Sequence, residues 1–229
     1  MRRFALILGT LACSGALLNA AGAGEIKGHV LISRRLTKPR VSVPSYQIRG
    51  PSALPPVAPL TLADEFKKTT IYLETASAIP GPPVAASLSQ KGQRFEPGIV
   101  IIPVGSAVSF PNQDPIFHNV FSLSPARQFD LGYYPAGQTR ELKFDQAGIV
   151  QVYCHLHPDM NAVIIVVPTP WYLQPDASGS FSFPSLPAGP YTVVVWHRSA
   201  GFFRRSVEVS DQNAVELSFE IPVQEAPDR

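Results

Sequence analysis

The chain has 229 residues, 45% hydrophobic and 16% charged, which is enough for one large or two small domains with cores of their own and unlike a disordered or multi-span membrane protein. Its formal charge of +2 comes from Arg2 and Arg3, past which basic and acidic residues balance at 17 each, so binding to nucleic acid or an anionic membrane is not expected as a main function. With 24 prolines, 16 glycines and 13 phenylalanines, the composition favours short strands joined by many turns, and an all-β fold is expected.

In chain order, Arg2 and Arg3 precede two apolar patches, Phe4 to Leu8 and Leu11 to Leu18, and Ala21-Gly22-Ala23 supplies the small residues that a signal peptidase reads. The pattern predicts a secretory signal over residues 1–23, cleaved after Ala23. An uncleaved anchor, a lipoprotein site at Cys13 and twin-arginine export are the weaker readings. Residues 24–66 join a strand, Glu25 to Ser33, to a segment holding Pro39, Pro44, Pro51, Pro55, Pro56 and Pro59. Prolines at that density remove ladder donors, so this segment reads as an extended linker or a wrapping arm. A strand-like run, Gly98 to Phe110, leads towards His118. A second, Gly148 to Tyr153, leads to Cys154 and puts Val150, Val152 and Cys154 on one face by the period of two. After Pro168 come a turn at Asp176-Ala177-Ser178-Gly179, the alternating Phe181 and Phe183, a turn over Leu186 to Tyr191, and strands Thr192 to Trp196, Arg204 to Val209 and Ala214 to Ile221.

Past residue 23 the chain holds one cysteine, Cys154, and one methionine, Met160. No intramolecular disulfide can form there, and a lone thiol in an oxidising compartment has to be buried or occupied. An inert core cysteine is the plain alternative. What points to chemistry is the company it keeps: Cys154-His155-Leu156-His157-Pro158-Asp159-Met160 sets two of the five histidines between the two rarest side chains. Thiolate, imidazole and thioether form a soft to borderline set that suits copper better than magnesium, calcium or structural zinc. A trigonal Cys and two His with a long axial Met is the arrangement of an electron-transfer copper centre. One histidine must then come from elsewhere, and His118 is the candidate, because a histidine at one strand end and a ligand loop at a neighbouring strand end meet at one pole of a sandwich.

Four features, Val104-Gly105-Ser106-Ala107-Val108-Ser109-Phe110 followed by Asn112, the triplet His118-Asn119-Val120, the strand Phe144 to Cys154, and the C-x-x-H-P-x-M loop, together resemble the cupredoxins, the small blue copper proteins. Within them the loop spacing is similar to that of amicyanin and the amicyanin-like methylamine utilization proteins. The resemblance runs from about Lys67 to Val167 and implies a Greek-key β-sandwich over residues 67–167. It implies one type 1 copper per chain, with His118, Cys154 and His157 equatorial and Met160 axial. It also implies that Asn119 ties the two ligand segments together, and that the protein is a periplasmic or secreted one-electron carrier serving a redox protein partner such as a c-type cytochrome or a dehydrogenase. Residues 168–229 resemble the carboxypeptidase regulatory-like β-sandwich, through their D-x-x-G-x-F and L-P-x-G-x-Y turns. Such a module normally begins with a strand pair of the G-x-V type, which makes Ile26 to Ile32 the candidate to complete it and the copper-type domain an insertion.

His155 departs from the amicyanin pattern. A histidine bonded to a copper-bound Cys is how multicopper oxidases and copper nitrite reductases pass electrons to a second copper, yet only His29 and His197 remain to build one, and neither lies in a His-x-His pair. By alternation His155 and Tyr153 are expected to face outward, Tyr153 as a surface residue or an electron-exit group, and His29 and His197 to be structural. Three other functions compete: a copper carrier or chaperone, an oxidoreductase with an intersubunit second copper site at His155, and a structural sandwich with a vestigial site. Cysteine–histidine hydrolysis is disfavoured, since Cys154 lacks a helix start to lower its pKa.

Overall fold

Short strands and turns make up nearly the whole of the computed structural model, which describes residues 24–33, 61–211 and 213–221. The expected signal segment and most of the proline-rich segment lie outside the described residues. In chain order the elements are β1 (Gly24–Ile32), α1 (Leu62–Phe66), β2 (Thr69–Glu74), β3 (Ala85–Ser87), β4 (Ser89–Gln90), β5 (Phe95–Glu96), β6 (Ile99–Pro103), β7 (Ser106–Pro111), β8 (His118–Ser124) and β9 (Arg127–Tyr134). They continue with β10 (Thr139–Phe144), β11 (Gly148–Tyr153), β12 (Asn161–Val167), β13 (Tyr172–Leu173), β14 (Ser180–Leu186), β15 (Gly189–His197), β16 (Gly201–Val209) and β17 (Ala214–Ile221).

Four main sheets lie in a stack, separated by three apolar clusters. The sheet β10-β7-β3 faces the sheet β6-β12-β11-β8-β9 across a core that includes Val108, Phe110, Phe144, Val150, Val152 and Ile164. The sheet β13-β2-β15-β16 faces β14-β1-β17 across a second core, with Ile26, Ile71, Phe181, Val193 and Phe219 among its members. The third cluster seals the two sandwiches together. It sets Val163, Ile165 and Val167 of β12 against Tyr72 of β2 and Val194 and Trp196 of β15.

This stacking accounts for the sequence of β12. A strand with one wet face alternates, whereas Ala162 to Val167 is an unbroken apolar run, as a strand covered on both faces requires. Ala162, Ile164 and Val166 enter the first core, and Val163, Ile165 and Val167 enter the seam. Each buried Val or Ile there contributes about 1.5–3 kcal/mol. The central part of β15 does the same, with Val193 and Val195 in the second core and Val194 and Trp196 in the seam.

Two strand assignments differ from the sequence expectation. The run Gly98 to Phe110 is two strands in different sheets, because the chain turns a corner at Val104-Gly105, where Gly105 has φ +88°, a left-handed value that glycine adopts at no steric cost. β2, inside the stretch assigned to the copper-type domain, pairs instead with β15 and β13, since Ile71 and Leu73 belong to the second core. The strand offered for the second sandwich, Ile26 to Ile32, does lie in it: β1 pairs antiparallel with β14 and parallel with β17, at the centre of the last sheet. Among the described residues, no helix is long and apolar enough to cross a membrane.

Candidate metal centre

The register of the five-stranded sheet brings the ligand segments to one pole. β11 and β8 are antiparallel with Tyr153 opposite Phe121, so His118, three residues before Phe121, lies level with the loop that follows Tyr153. Cys154, directly after β11, points with Val150 and Val152 into the first core.

The loop that leads into His118 is held by Asn112. Its Nδ2 donates to the carbonyls of Ile116 (2.8 Å) and Tyr134 (3.0 Å), and its Oδ1 accepts the N–H of Asp114 (3.0 Å). Asp114 in turn accepts N–H bonds from Gly92 (2.6 Å) and Gln93 (2.8 Å) and faces His118 Nε2 at 2.8 Å. Burial raises the pKa of Asp114, but the donors on Gln93, His118 and Gly92 outweigh it and hold the carboxyl below the usual carboxylate range. An ionised carboxylate only accepts, so Nε2 carries the ring proton and the Nδ1 lone pair is left open. That nitrogen lies 3.9 Å from Cys154 Sγ. Beneath the loop, the Tyr134 hydroxyl donates to Phe110 O (2.9 Å) and accepts from Gln90 Nε2 (2.5 Å), and burial pushes its pKa up to about 12.

On the other side, the Cys154 N–H donates to Met160 O (3.3 Å) and the Met160 N–H to His157 O (2.9 Å), which closes the loop upon itself. His157 also presents Nδ1 to the thiol, at 3.8 Å, and its ring meets that of His118 edge to face at 4.9 Å. His118, Cys154 and Met160 are buried, and His157 is the half-buried member.

The donor set fits a soft transition-metal ion. Metal–sulfur and metal–nitrogen bonds of about 2.3 and 2.0–2.1 Å, at an angle of about 120°, place sulfur and nitrogen about 3.8 Å apart. The two Sγ···Nδ1 separations match that spacing. The three ligating atoms lie within 4.8 Å of one another, and among the described residues His118, Cys154 and His157 form the cluster of His, Cys, Asp and Glu that could hold an ion. Met160 shares the buried core with Cys154.

His155 points away from this cluster, stacked on Phe121 (3.8 Å between centroids, 6° between planes) with Nε2 3.8 Å from Asp130. Tyr153 lies outward beside Phe121. His29 bonds Ser180 Oγ at 2.7 Å in the second sandwich, and His197 is buried against Glu65 there. Asn119 differs from the expected tie: its Nδ2 donates to Asp130 on β9 at 2.6 Å, and its buried Oδ1 has no hydrogen-bond partner among the described residues. Asp130 lies between the two segments, bonded to Asn119 and 3.8 Å from the exposed His155, a separation beyond hydrogen-bond range. Sequence reasoning missed Asp114 and Asp130. The Asn-x-Asp turn at Asn112-Gln113-Asp114, four residues short of His118, was the available signal for the first, and none marked the second.

No protein-family model matches this sequence, and no curated protein matches it. Among solved structures, the chain is similar to a purple cupredoxin from Nitrosopumilus maritimus, at 23% identity and TM-score 0.33, over 36% of this chain and 99% of that one. It is similar to a reduced amicyanin variant at 22% identity and TM-score 0.35, over 44% of this chain and 99% of that one. It also resembles a copper-containing nitrite reductase from Thermus scotoductus at 25% identity and TM-score 0.35, over 40% of this chain and 24% of that one.

Proposed function

We propose that His118, Cys154, His157 and Met160 hold one copper ion, and that the protein is an exported one-electron carrier. The observation that carries the reading is the convergence of two imidazole Nδ1 atoms on one thiol, 3.8 and 3.9 Å away, with the His118 ring fixed from behind by Asp114. A copper ion bound there supplies a couple that gains and loses one electron. The chain's own part is to keep the donors in place in both states. Asp114 fixes one ring, and the backbone bonds between Cys154, His157 and Met160 fix the loop, so little has to rearrange. Burial of three of the four side chains excludes water and favours retention of the ion over its release, which supports a carrier of electrons over a copper chaperone.

Electron exchange belongs at the half-buried His157. Leu156 beside it is 49% exposed, and on the loop before His118 Phe117 is 55% exposed. These apolar side chains suit a small, short-lived contact with a redox protein, a c-type cytochrome or a dehydrogenase among the candidates. The pattern of residues 1–23, read as a secretory signal, supports delivery to the periplasm or the exterior. Repeated reduction by ascorbate and reoxidation by ferricyanide tests the reading. One electron per chain in each cycle, with copper retained throughout, is expected; loss of copper on reduction would replace the carrier with a chaperone.

A further inference from the structure

Arg198 stands in the turn between β15 and β16, in the second sandwich, and its guanidinium reaches across the seam. Nη1 donates to the carbonyl of Gly98 (3.2 Å), just before β6, and Nη2 donates to the side-chain oxygen of Asn161 and, at 3.5 Å, to its carbonyl. Asn161 is the first residue of β12 and directly follows Met160. Its Nδ2 donates back to the carbonyl of Asp159 at 3.1 Å, so the Asn161 side chain brackets the backbone of Met160.

The arm that presents Arg198 is itself fixed. The Arg198 N–H donates to Lys68 O (3.1 Å), and the Ser199 N–H caps the Nδ1 of His197 (3.1 Å). His197 is buried against Glu65 at 3.2 Å, and Trp196 packs into the seam with Val163 and Ile165 of β12. A guanidinium offers several donors in a rigid planar fork, and here the fork grips both strand starts beside the ligand loop. Hydrogen bonds from a charged donor are roughly twice as strong as neutral ones.

We propose that Arg198 is a positioning residue for the Met160 end of the ligand loop, so that the second sandwich helps to set the geometry of the metal centre in the first. The spectroscopic part of this inference rests on the copper reading above; the conformational part does not.

The test uses the full chain with Arg198→Met, which keeps the apolar stem without the donors, and Arg198→Lys, which keeps charge without the fork. Asn161→Ala cuts the same bridge from the other side, should Arg198→Met fold poorly. In the metal-free protein, amide exchange at Met160 is expected to quicken about tenfold or more in Arg198→Met, because the loop opens locally. In the copper-loaded protein, the visible and electron paramagnetic resonance spectra are expected to shift and copper to be held about 10–100-fold more weakly. Arg198→Lys should recover part of each effect. Unchanged exchange at Met160, with only a lower melting temperature, would overturn the inference and leave Arg198 a structural clamp. A wild-type chain without a copper–thiolate band would overturn the copper reading alone, since the metal-free exchange still decides the positioning.

Discussion

Two histidines in this chain are wholly buried, and each faces a carboxylate. In the first sandwich, His118 Nε2 lies 2.8 Å from Asp114; in the second, His197 Nε2 lies 3.2 Å from Glu65. What differs is the other ring nitrogen. His118 turns Nδ1 towards Cys154, 3.9 Å away, whereas His197 Nδ1 already accepts the N–H of Ser199 at 3.1 Å. A buried histidine–carboxylate pair is therefore a shared device with two uses. With the lone pair of Nδ1 aimed at a thiol the ring is available to a metal ion; with Nδ1 already taken and Nε2 only in ion-pair range of the acid, it is a structural contact between α1 and β15.

The comparison is broken most forcefully from the structural side. Glu65→Ala removes the buried acid that His197 faces, and leaving a buried polar group unsatisfied costs about 1–3 kcal/mol. The expected outcome is a large fall in the denaturant midpoint, while the folded fraction still forms the copper band at saturation. If stability hardly changes, Glu65 and His197 are not the structural contact described here.

On the ligand side, Asp114→Asn keeps the size of the side chain but removes the ionised acceptor that fixes the His118 tautomer. Loss of such a partner is expected to weaken copper binding about 10–100-fold, measured by competition with a chelator. An affinity equal to wild type would mean that His118 is oriented by its strand alone.

Acid sharpens the contrast, because the two sites respond in different windows. Burial depresses His197 below its ordinary 6.5, against the opposing pull of Glu65 and with Lys68 adding to the depression. The unfolded chain then takes up the proton first, so this contribution to stability is present above about 6.5 and is lost as pH falls below it. Asp114 is also depressed, from 3.8, so its contribution holds above that value and is lost only in more acid solution. Melting curves of the metal-free protein should show that His197→Gln flattens the slope below about pH 6.5, and Asp114→Asn the slope below about pH 4. Identical slopes in wild type and His197→Gln would contradict the first assignment.

The smallest effect is expected at His155, which is half exposed and stacked on Phe121. His155→Ala should leave copper stoichiometry and spectrum nearly unchanged. Loss of a second, colourless copper would favour an oxidoreductase with a site between subunits.

Much of the centre was legible because local chemistry fixed it. Cys154, His157 and Met160 lie within one short loop, and the period of two in β11 aimed Cys154 inward. His118 required the added inference that two strand ends share a pole. Asp114 and Asp130 were harder to read: the Asn112-Gln113-Asp114 turn does not say which ring its carboxyl will face, and an aspartate within a strand such as β9 reads as an ordinary surface residue. The placement of β2 depended on which core took Ile71 and Leu73, and no local pattern distinguishes two apolar cores. The reach of Arg198 to Asn161 depends on sheet stacking, which is a property of the assembled layers.

The central claim is that the His118, Cys154, His157 and Met160 cluster is a copper–thiolate centre. Titration of the full chain with Cu(II), followed by visible absorption and electron paramagnetic resonance beside the Cys154→Ser variant, tests it most directly. The account predicts one copper per chain and an intense thiolate-to-copper band that disappears in Cys154→Ser, because a hydroxyl cannot replace the soft thiolate. Full copper occupancy without that band, or a band that survives in Cys154→Ser, would contradict it.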